Sequence, residues 1–337
     1  KKQNKKRDDT VTDFFPFLDL NTLEWSQENL IALALESAVH IWDGERNQNV
    51  ASIDLSATSK YIASVAWMRE NTYLALGTSD GEVQLWDIET QTRVRRIFGH
   101  MSVIGAMSWN GYVLSRLGYI HHHDIRAAQH LIRKVQQSKQ SVCSLQWSPD
   151  YKLLACGSSD GLINIWSNDL GGTVQSTPLL TLCHSSAVKA MKWCPWQPAL
   201  IATGGGMNDR FLRVWNISNT TNFEIADTKS QVCSLLWLPN TKEIVTGQGH
   251  PQNMMNVWKY PVLSNTAGLH GKHVHNYSVF VGLHVCNIFL SVWRMETCWK
   301  MKVEEEPKSA GFSKMVEQPR SFSFPLFLSL LEWLFFF

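Results

Sequence analysis

An all-β fold is what this 337-residue chain predicts: a seven-bladed propeller with a degenerate seventh blade and irregular N- and C-terminal tails. Three observations predict it. Tryptophan recurs at a near-constant spacing, short apolar runs alternate with period two, and Pro, Gly, Asn and Asp fill the intervals. The unit is clearest over 187–216. One run ends on Trp193, and Pro195 and Pro198 mark a turn. Leu200–Thr203 is a second run, and a Gly-rich turn from Gly204 to Asp209 leads to a third. In that third run Phe211, Arg213 and Trp215 share one face, with Leu212 and Val214 on the other, as in a strand with distinct faces.

The tryptophans form two interleaved series. Trp25, Trp67, Trp109, Trp147, Trp193 and Trp237 are 38 to 46 residues apart. Trp42, Trp86, Trp166, Trp215 and Trp258 lie downstream in the same units, and one wide gap places His123 where a Trp is missing. This period is that of WD40 propeller blades. The turn vocabulary agrees. Trp42-Asp43 and Trp86-Asp87 are literal WD pairs, Gly99-His100 is a GH pair, and Ser79-Asp80-Gly81 and Ser159-Asp160-Gly161 occupy matching places. Asp-Gly favours a tight hairpin because Gly tolerates positive φ.

Taken in order, residues 1–19 are a basic tail and an apolar lead-in. Lys1–Arg7 reads as a solvated tail rather than an import signal. The propeller is expected over 20–300, its blades near 20–45, 60–97, 100–135, 138–175, 183–225 and 228–262. The first is short and is expected to lack a strand. Gly268–Gly271 is expected to open a seventh blade and Ser291–Trp293 to close it, but Lys272–Leu290 carries no recognisable turn. Residues 301–337 form an irregular tail ending in an apolar stretch. That stretch holds Pro325 and Glu332 and is too short to span a bilayer, so no membrane is expected.

Composition sets the bounds. Apolar residues make up 44% and charged residues 18%, enough for a large core. Burying an aromatic side chain removes about 150–250 Å² from water, worth at most about 4–6 kcal/mol, so the regular tryptophans are assigned to the core. A net charge of +2 gives no reason to expect a nucleic-acid partner. Seven scattered Cys without a CxxC pair read as structural thiols of a reducing compartment.

No catalytic constellation emerges, so neither an enzyme nor a cofactor is expected. Nucleophile-elbow, P-loop and zinc-protease motifs are missing, and Gly204-Gly205-Gly206 opens no helix. His121 and His123 would share a strand face, but they supply two ligands where a structural zinc site takes four, and no metal is expected. Binding at the loop-bearing ends of a scaffold is the remaining class of function.

The residues VKAMKWCPWQ from Val188, ATGGG from Ala202 and RVWN from Arg213 resemble the Fizzy (cell division cycle 20 type) family, as do HHHDIR from His121 and SQVCSLLW from Ser230. The similarity covers about residues 7–263 and points to a divergent member or an alternative, truncated form. The resemblance implies an adaptor and activator of the anaphase-promoting complex, with ligase subunits, degron-bearing substrates and checkpoint proteins as partners and a cytoplasmic and nuclear location. The family docks its ligase through N-terminal motifs and an Ile-Arg tail, whereas this chain runs from Lys1 to Phe337. The degron-facing positions the resemblance implies are Asp9, Ser159, Asp160, Met207 and Gln231. Polar family positions fall on Ser159, Gly161 and Met207, and the acidic partner of a destruction-box Arg falls on Asp8 or Asp9. A WD40 scaffold without ligase activation is the alternative.

Overall fold

The computed structural model describes residues 21–303 except 27, 45, 47, 69–71, 101, 110–112, 117, 137–139, 169–176, 220–222, 250, 253, 271–277, 285–286 and 294–297. Blade 1 comprises β1 (Leu23–Trp25), β2 (Leu30–Leu35), β3 (Ala38–Asp43) and β4 (Gln48–Asp54). Blade 2 comprises β5 (Ile62–Trp67), β6 (Tyr73–Thr78), β7 (Val83–Asp87) and β8 (Thr92–Ile97). Blade 3 comprises β9 (Ala106–Ser108), β10 (Val113–Arg116), β11 (Tyr119–His123) and β12 (Leu131–Gln136). Blade 4 comprises β13 (Val142–Trp147), β14 (Leu153–Ser158), β15 (Leu162–Ser167) and β16 (Leu180–Cys183). Blade 5 comprises β17 (Val188–Trp193), β18 (Leu200–Gly205), β19 (Phe211–Asn216) and β20 (Phe223–Asp227). Blade 6 comprises β21 (Val232–Leu238), β22 (Glu243–Gln248), β23 (Met254–Lys259) and β24 (Ser264–His270). A three-stranded sheet follows: β25 (Ser278–His284), β26 (Asn287–Trp293) and β27 (Cys298–Val303). Every sheet is an antiparallel meander in chain order.

Sequence explains the layering. The second strands, such as β18 (LIATGG) and β22 (EIVTGQ), are buried along their whole length between neighbouring blades. Strands covered on both faces read as continuous apolar runs. The fourth strand β8 (TRVRRI) is exposed along most of its length and reads polar. The core is therefore a ring of packets between adjacent sheets. In one, Ile41 and Ile53 of blade 1 meet Ile62, Leu74 and Leu76 of blade 2. In another, Leu212 and Val214 of blade 5 meet Val232 and Ile244 of blade 6.

Four first strands break register at the same place, at Ala63, Cys143, Lys189 and Cys233. An extra residue there increases the local twist of each inner strand. Cys143 and Cys233, which share a repeat position in sequence, are these bulge residues.

The first-series tryptophans do more than fill space. In four of the six, the indole Nε1 donates to the carbonyl just before the corresponding Trp of the preceding blade. Trp109 reaches Ala66 at 3.1 Å, Trp193 reaches Gln146 at 3.0 Å, Trp237 reaches Lys192 at 3.0 Å and Trp67 reaches Glu24 at 3.3 Å. Trp147 breaks the series: its Nε1 is buried without a partner. Trp25 donates within its own blade to Asn29 at 2.9 Å. Of the eleven tryptophans assigned to the core, Trp67, Trp147, Trp166, Trp193, Trp215, Trp237 and Trp258 are buried, and Trp25, Trp42, Trp86 and Trp109 are half-buried.

Four expectations change. The seven blades become six complete ones and a three-stranded sheet, because the chain after β24 forms two hairpins, β25–β26 and β26–β27, where a complete blade has three. The first blade has all four strands, since Gln48–Asp54, alternating only at its end, pairs with β3. Gly268–His270 closes blade 6 rather than opening a new blade, and Ser291–Trp293 lies in the middle strand of its sheet. Gly204 and Gly205 end β18, so the turn begins at Gly206. Asp9, with all of residues 1–20 and 304–337, lies outside the described residues, and β27 runs on to Val303, past the tail boundary expected at 300.

Candidate functional site: rim and channel of the propeller

One end of the propeller is built by a repeated bond. The turn between second and third strands donates a backbone N–H to the loop that enters the same blade. The pairs are Ser79 to Tyr61 at 3.0 Å, Ser159 to Ser141 at 2.9 Å, Gly206 to Ala187 at 2.9 Å and Gly249 to Gln231 at 3.0 Å. This register brings four of the sequence-predicted positions to one rim: Ser159, Asp160, Met207 and Gln231. Ser159 is half-buried, and its hydroxyl receives that of Ser141 at 3.2 Å. Asp160 is exposed and accepts from Ser158 and, at 3.1 Å, from Leu162 N–H. Gln231 Nε2 lies 3.4 Å from Cys233 Sγ. Met207 follows Gly206 as Asp80 follows Ser79 and Asp160 follows Ser159. Asp80 is paired with Lys60 at 2.5 Å, whereas Met207 is a 46% exposed thioether.

Gly161 is a backbone position. Its φ is +87°, and a Cβ there would collide with the His184 carbonyl of the next blade. Gly81, also at +87°, meets the His100 carbonyl in the same way. The ATGGG turn has a related cause. A Cβ on Gly204 would strike Val232 of blade 6, and one on Gly205 would strike the Asp209 carboxylate.

That carboxylate ends a buried chain of polar groups. Trp215 Nε1 donates to Thr203 Oγ1 at 2.8 Å, which is 2.8 Å from His184 Nε2. His184 Nδ1 lies 2.6 Å from Asp209 Oδ2. Arg213 grips Asp209 with two nitrogens, at 2.6 and 3.0 Å, and Ser185 N–H adds a third bond at 3.1 Å. Burial lowers the His184 pKa to about 4, against the Asp209 hydrogen bond that raises it. The ring is neutral at pH 7, so Thr203 donates to Nε2 and Nδ1–H donates to Asp209. Burial alone would raise Asp209, but Arg213 and His184 hold it well below the usual carboxylate range. The Thr-His-Asp order resembles a hydrolase triad. Thr203 is wholly buried, however, and its proton is committed, so the chain's work is to clamp turn to loop. Sequence reasoning passed over His184 because it sits outside the tryptophan register; the Cys-His before an apolar run was its only signal.

The first strands wall a cavity of about 200 Å³ on the channel axis, lined by Glu24, Val65, Met107, Gln146, Lys192 and Leu236 among others. Asn21 crosses it, its amide donating to the carbonyls of Gly105 at 2.6 Å and Cys143 at 3.3 Å. Glu24 accepts the Trp67 backbone N–H. Burial raises its pKa to about 7, offset by that bond and by Lys192. Lys192 is open to the channel yet ringed by protein, which lowers its pKa against the opposing pull of Glu24.

The latched tryptophans and the Trp-Thr-His-Asp clamp define a WD40 propeller. Comparison with known proteins narrows the class: residues 10–282 match the CDC20/Fizzy WD40 domain, and the chain belongs to that family. It is 39% identical over 267 residues to "Anaphase-promoting complex subunit cdc20" of Dictyostelium discoideum, covering 78% of this chain and 52% of that protein. It is 40% identical over 245 residues to "WD repeat-containing protein slp1" of Schizosaccharomyces pombe, covering 72% and 49%. The chain thus spans about half the length of the curated relatives it matches. Among solved structures, a chain of "Crystal Structure of Mitotic Checkpoint Complex" superposes with a TM-score of 0.74 at 36% identity, covering 82% of this chain and 86% of that one.

Proposed function

We propose that this protein is a substrate-recognition adaptor and activator of the anaphase-promoting complex ubiquitin ligase, serving cell-cycle-linked protein degradation. Family membership carries the reading: a relative bearing the complex's name is 39% identical across most of this chain. The partners are ligase subunits, substrates bearing destruction-box or KEN-box degrons, and checkpoint proteins, the last supported by the similar chain solved within a mitotic checkpoint complex. The rim carrying Ser159, Asp160, Met207 and Gln231 is the degron-facing end, with Asp9 as the acidic contact for a destruction-box Arg. On this reading the three-stranded sheet is the degenerate seventh blade, the propeller spans 20–300 between two irregular tails, the role is non-catalytic, and the protein works in cytoplasm and nucleus. Fluorescence-polarisation titration with KEN and destruction-box peptides, together with co-purification of ligase subunits, tests it. Micromolar peptide binding is expected, and failure of both assays overturns it.

Met207 favours a second reading, a protein-interaction scaffold without ligase activation. An exposed thioether occupies the register where Asp80 and Asp160 stand. Failure of both peptide binding and ligase co-purification would select this reading, whereas micromolar degron binding would exclude a complete loss of the adaptor role.

A further inference from the structure

Blade 3 departs from the clamp of blade 5, and the departure gathers imidazoles. In blade 5 the clamp histidine is His184, whose carbonyl faces Gly161; in blade 3 that place belongs to His100, whose carbonyl faces Gly81. The second-series tryptophan, Trp215 in blade 5, is replaced by His123. An indole nitrogen only donates, whereas a neutral imidazole also carries a lone pair. β11 adds His121, two residues earlier on the same strand face.

His100, His121 and His123 each present a ring nitrogen within 4.8 Å of the others. His123 Nε2 is 3.3 Å from His100 Nε2, and its Nδ1 is 2.8 Å from His130 Nδ1. His121 is 4% exposed, its ring stacks on His100 at a centroid distance of 4.1 Å, and its Nδ1 is buried without a hydrogen-bond partner. A protein seldom leaves such an atom unpaired. Zn–N bonds of about 2.0–2.1 Å at tetrahedral angles set two ligand nitrogens about 3.3 Å apart, the separation His100 and His123 already have.

We propose that His100, His121 and His123 form a Zn²⁺ site at the blade-3 rim, with His130 as the outer partner that orients His123. An all-imidazole set suits zinc over the oxygen-seeking Mg²⁺ and Ca²⁺. Without the ion, one proton on His100 Nε2 bridges to His123 Nε2. Ion entry needs both lone pairs, so His100 carries its proton on Nδ1 instead and no proton is lost. His123 keeps Nδ1–H donated to His130, the kind of outer bond that fixes a ligand's tautomer. Three ligands leave the fourth tetrahedral position to water. His121 and His123 alone pointed to no metal in sequence; the fold supplies His100 from the loop before β9.

The test is titration of the tag-free full chain with Co²⁺, then displacement by Zn²⁺. The expected result is one ion per chain, a tetrahedral cobalt d–d band abolished by zinc, and X-ray absorption of the zinc form showing three imidazole nitrogens. His100→Asn should weaken binding at least about tenfold while the chain keeps its β-rich circular dichroism. Should His121→Asn fail to fold, His100→Asn, on a half-buried loop, still decides. A folded chain with no cobalt band, or undiminished binding in H100N, overturns the proposal.

Discussion

Thr203 shows how much one hydroxyl can organise. It accepts from Trp215, donates to His184, and through that ring reaches Asp209 and Arg213. Thr203→Val keeps the shape and strips both bonds, leaving two buried partners unsatisfied. A loss of about 2–4 kcal/mol is expected in urea unfolding, because each orphaned buried group costs about 1–3 kcal/mol. A loss below about 0.5 kcal/mol would show that the clamp carries no stability. Glu24 is the residue whose charge state matters most in the channel. Its folded pKa is about 7 against an ordinary 4.5. Between these values the folded chain holds a proton that the unfolded chain has released. The contribution is therefore complete below pH 4.5 and declines as pH rises through 7. Glu24→Gln removes the dependence. Its stability relative to the parent should rise between about pH 5 and pH 8, on the order of 2 kcal/mol after discounting for channel solvent. A pH-independent difference between the two would refute the buried-carboxyl account. His184 acts in the opposite sense, costing stability as pH falls from 6.5 toward 4. None of this was legible locally. The Trp spacing identified Trp215, but Glu24 looks in sequence like any strand-edge acid, because its burial comes from the strands around it.

At the scale of strands and turns, the tryptophan latch is the feature to test. Trp193 donates across a blade boundary to Gln146, whereas the Nε1 of Trp147, in the same register, has no hydrogen-bond partner. Trp→Phe at each site removes similar apolar area. Trp193→Phe should therefore cost about 1–2 kcal/mol more than Trp147→Phe in matched denaturant melts. Equal costs would assign the tryptophans to packing alone. Alternation and turn residues made most strands legible, including the DG hairpins at Gly81 and Gly161. β4 was not, because QNVASID is buried only at alternate positions near its end and lacks an apolar run. The CPWQ and ATGGG segments announced the family, but their cause lies across blade boundaries, where Gly204 abuts Val232.

For the whole molecule, the question is closure. β25 lies against β21 and β22 on one side and β1 on the other, so the last sheet stands between the final and first complete blades. Unpaired sheet edges invite association. Chains ending after residue 303 and after residue 270 should differ sharply. The shorter is expected to melt at lower temperature and to self-associate in light scattering. Matching melts and monomers would mean that the last sheet contributes nothing to the ring. By itself the sequence determined the all-β class, the blade period and the family, since these follow from spacing, alternation and turn chemistry along the chain. Only the tertiary structure decided which side chains meet: Trp193 with Gln146, His184 with Asp209, His100 with His121 and His123. Those contacts cross from loop to turn and from blade to blade. They depend on sheet twist and ring packing, which set distances between residues tens of positions apart; the Trp period shows which blades are neighbours but not which atoms meet.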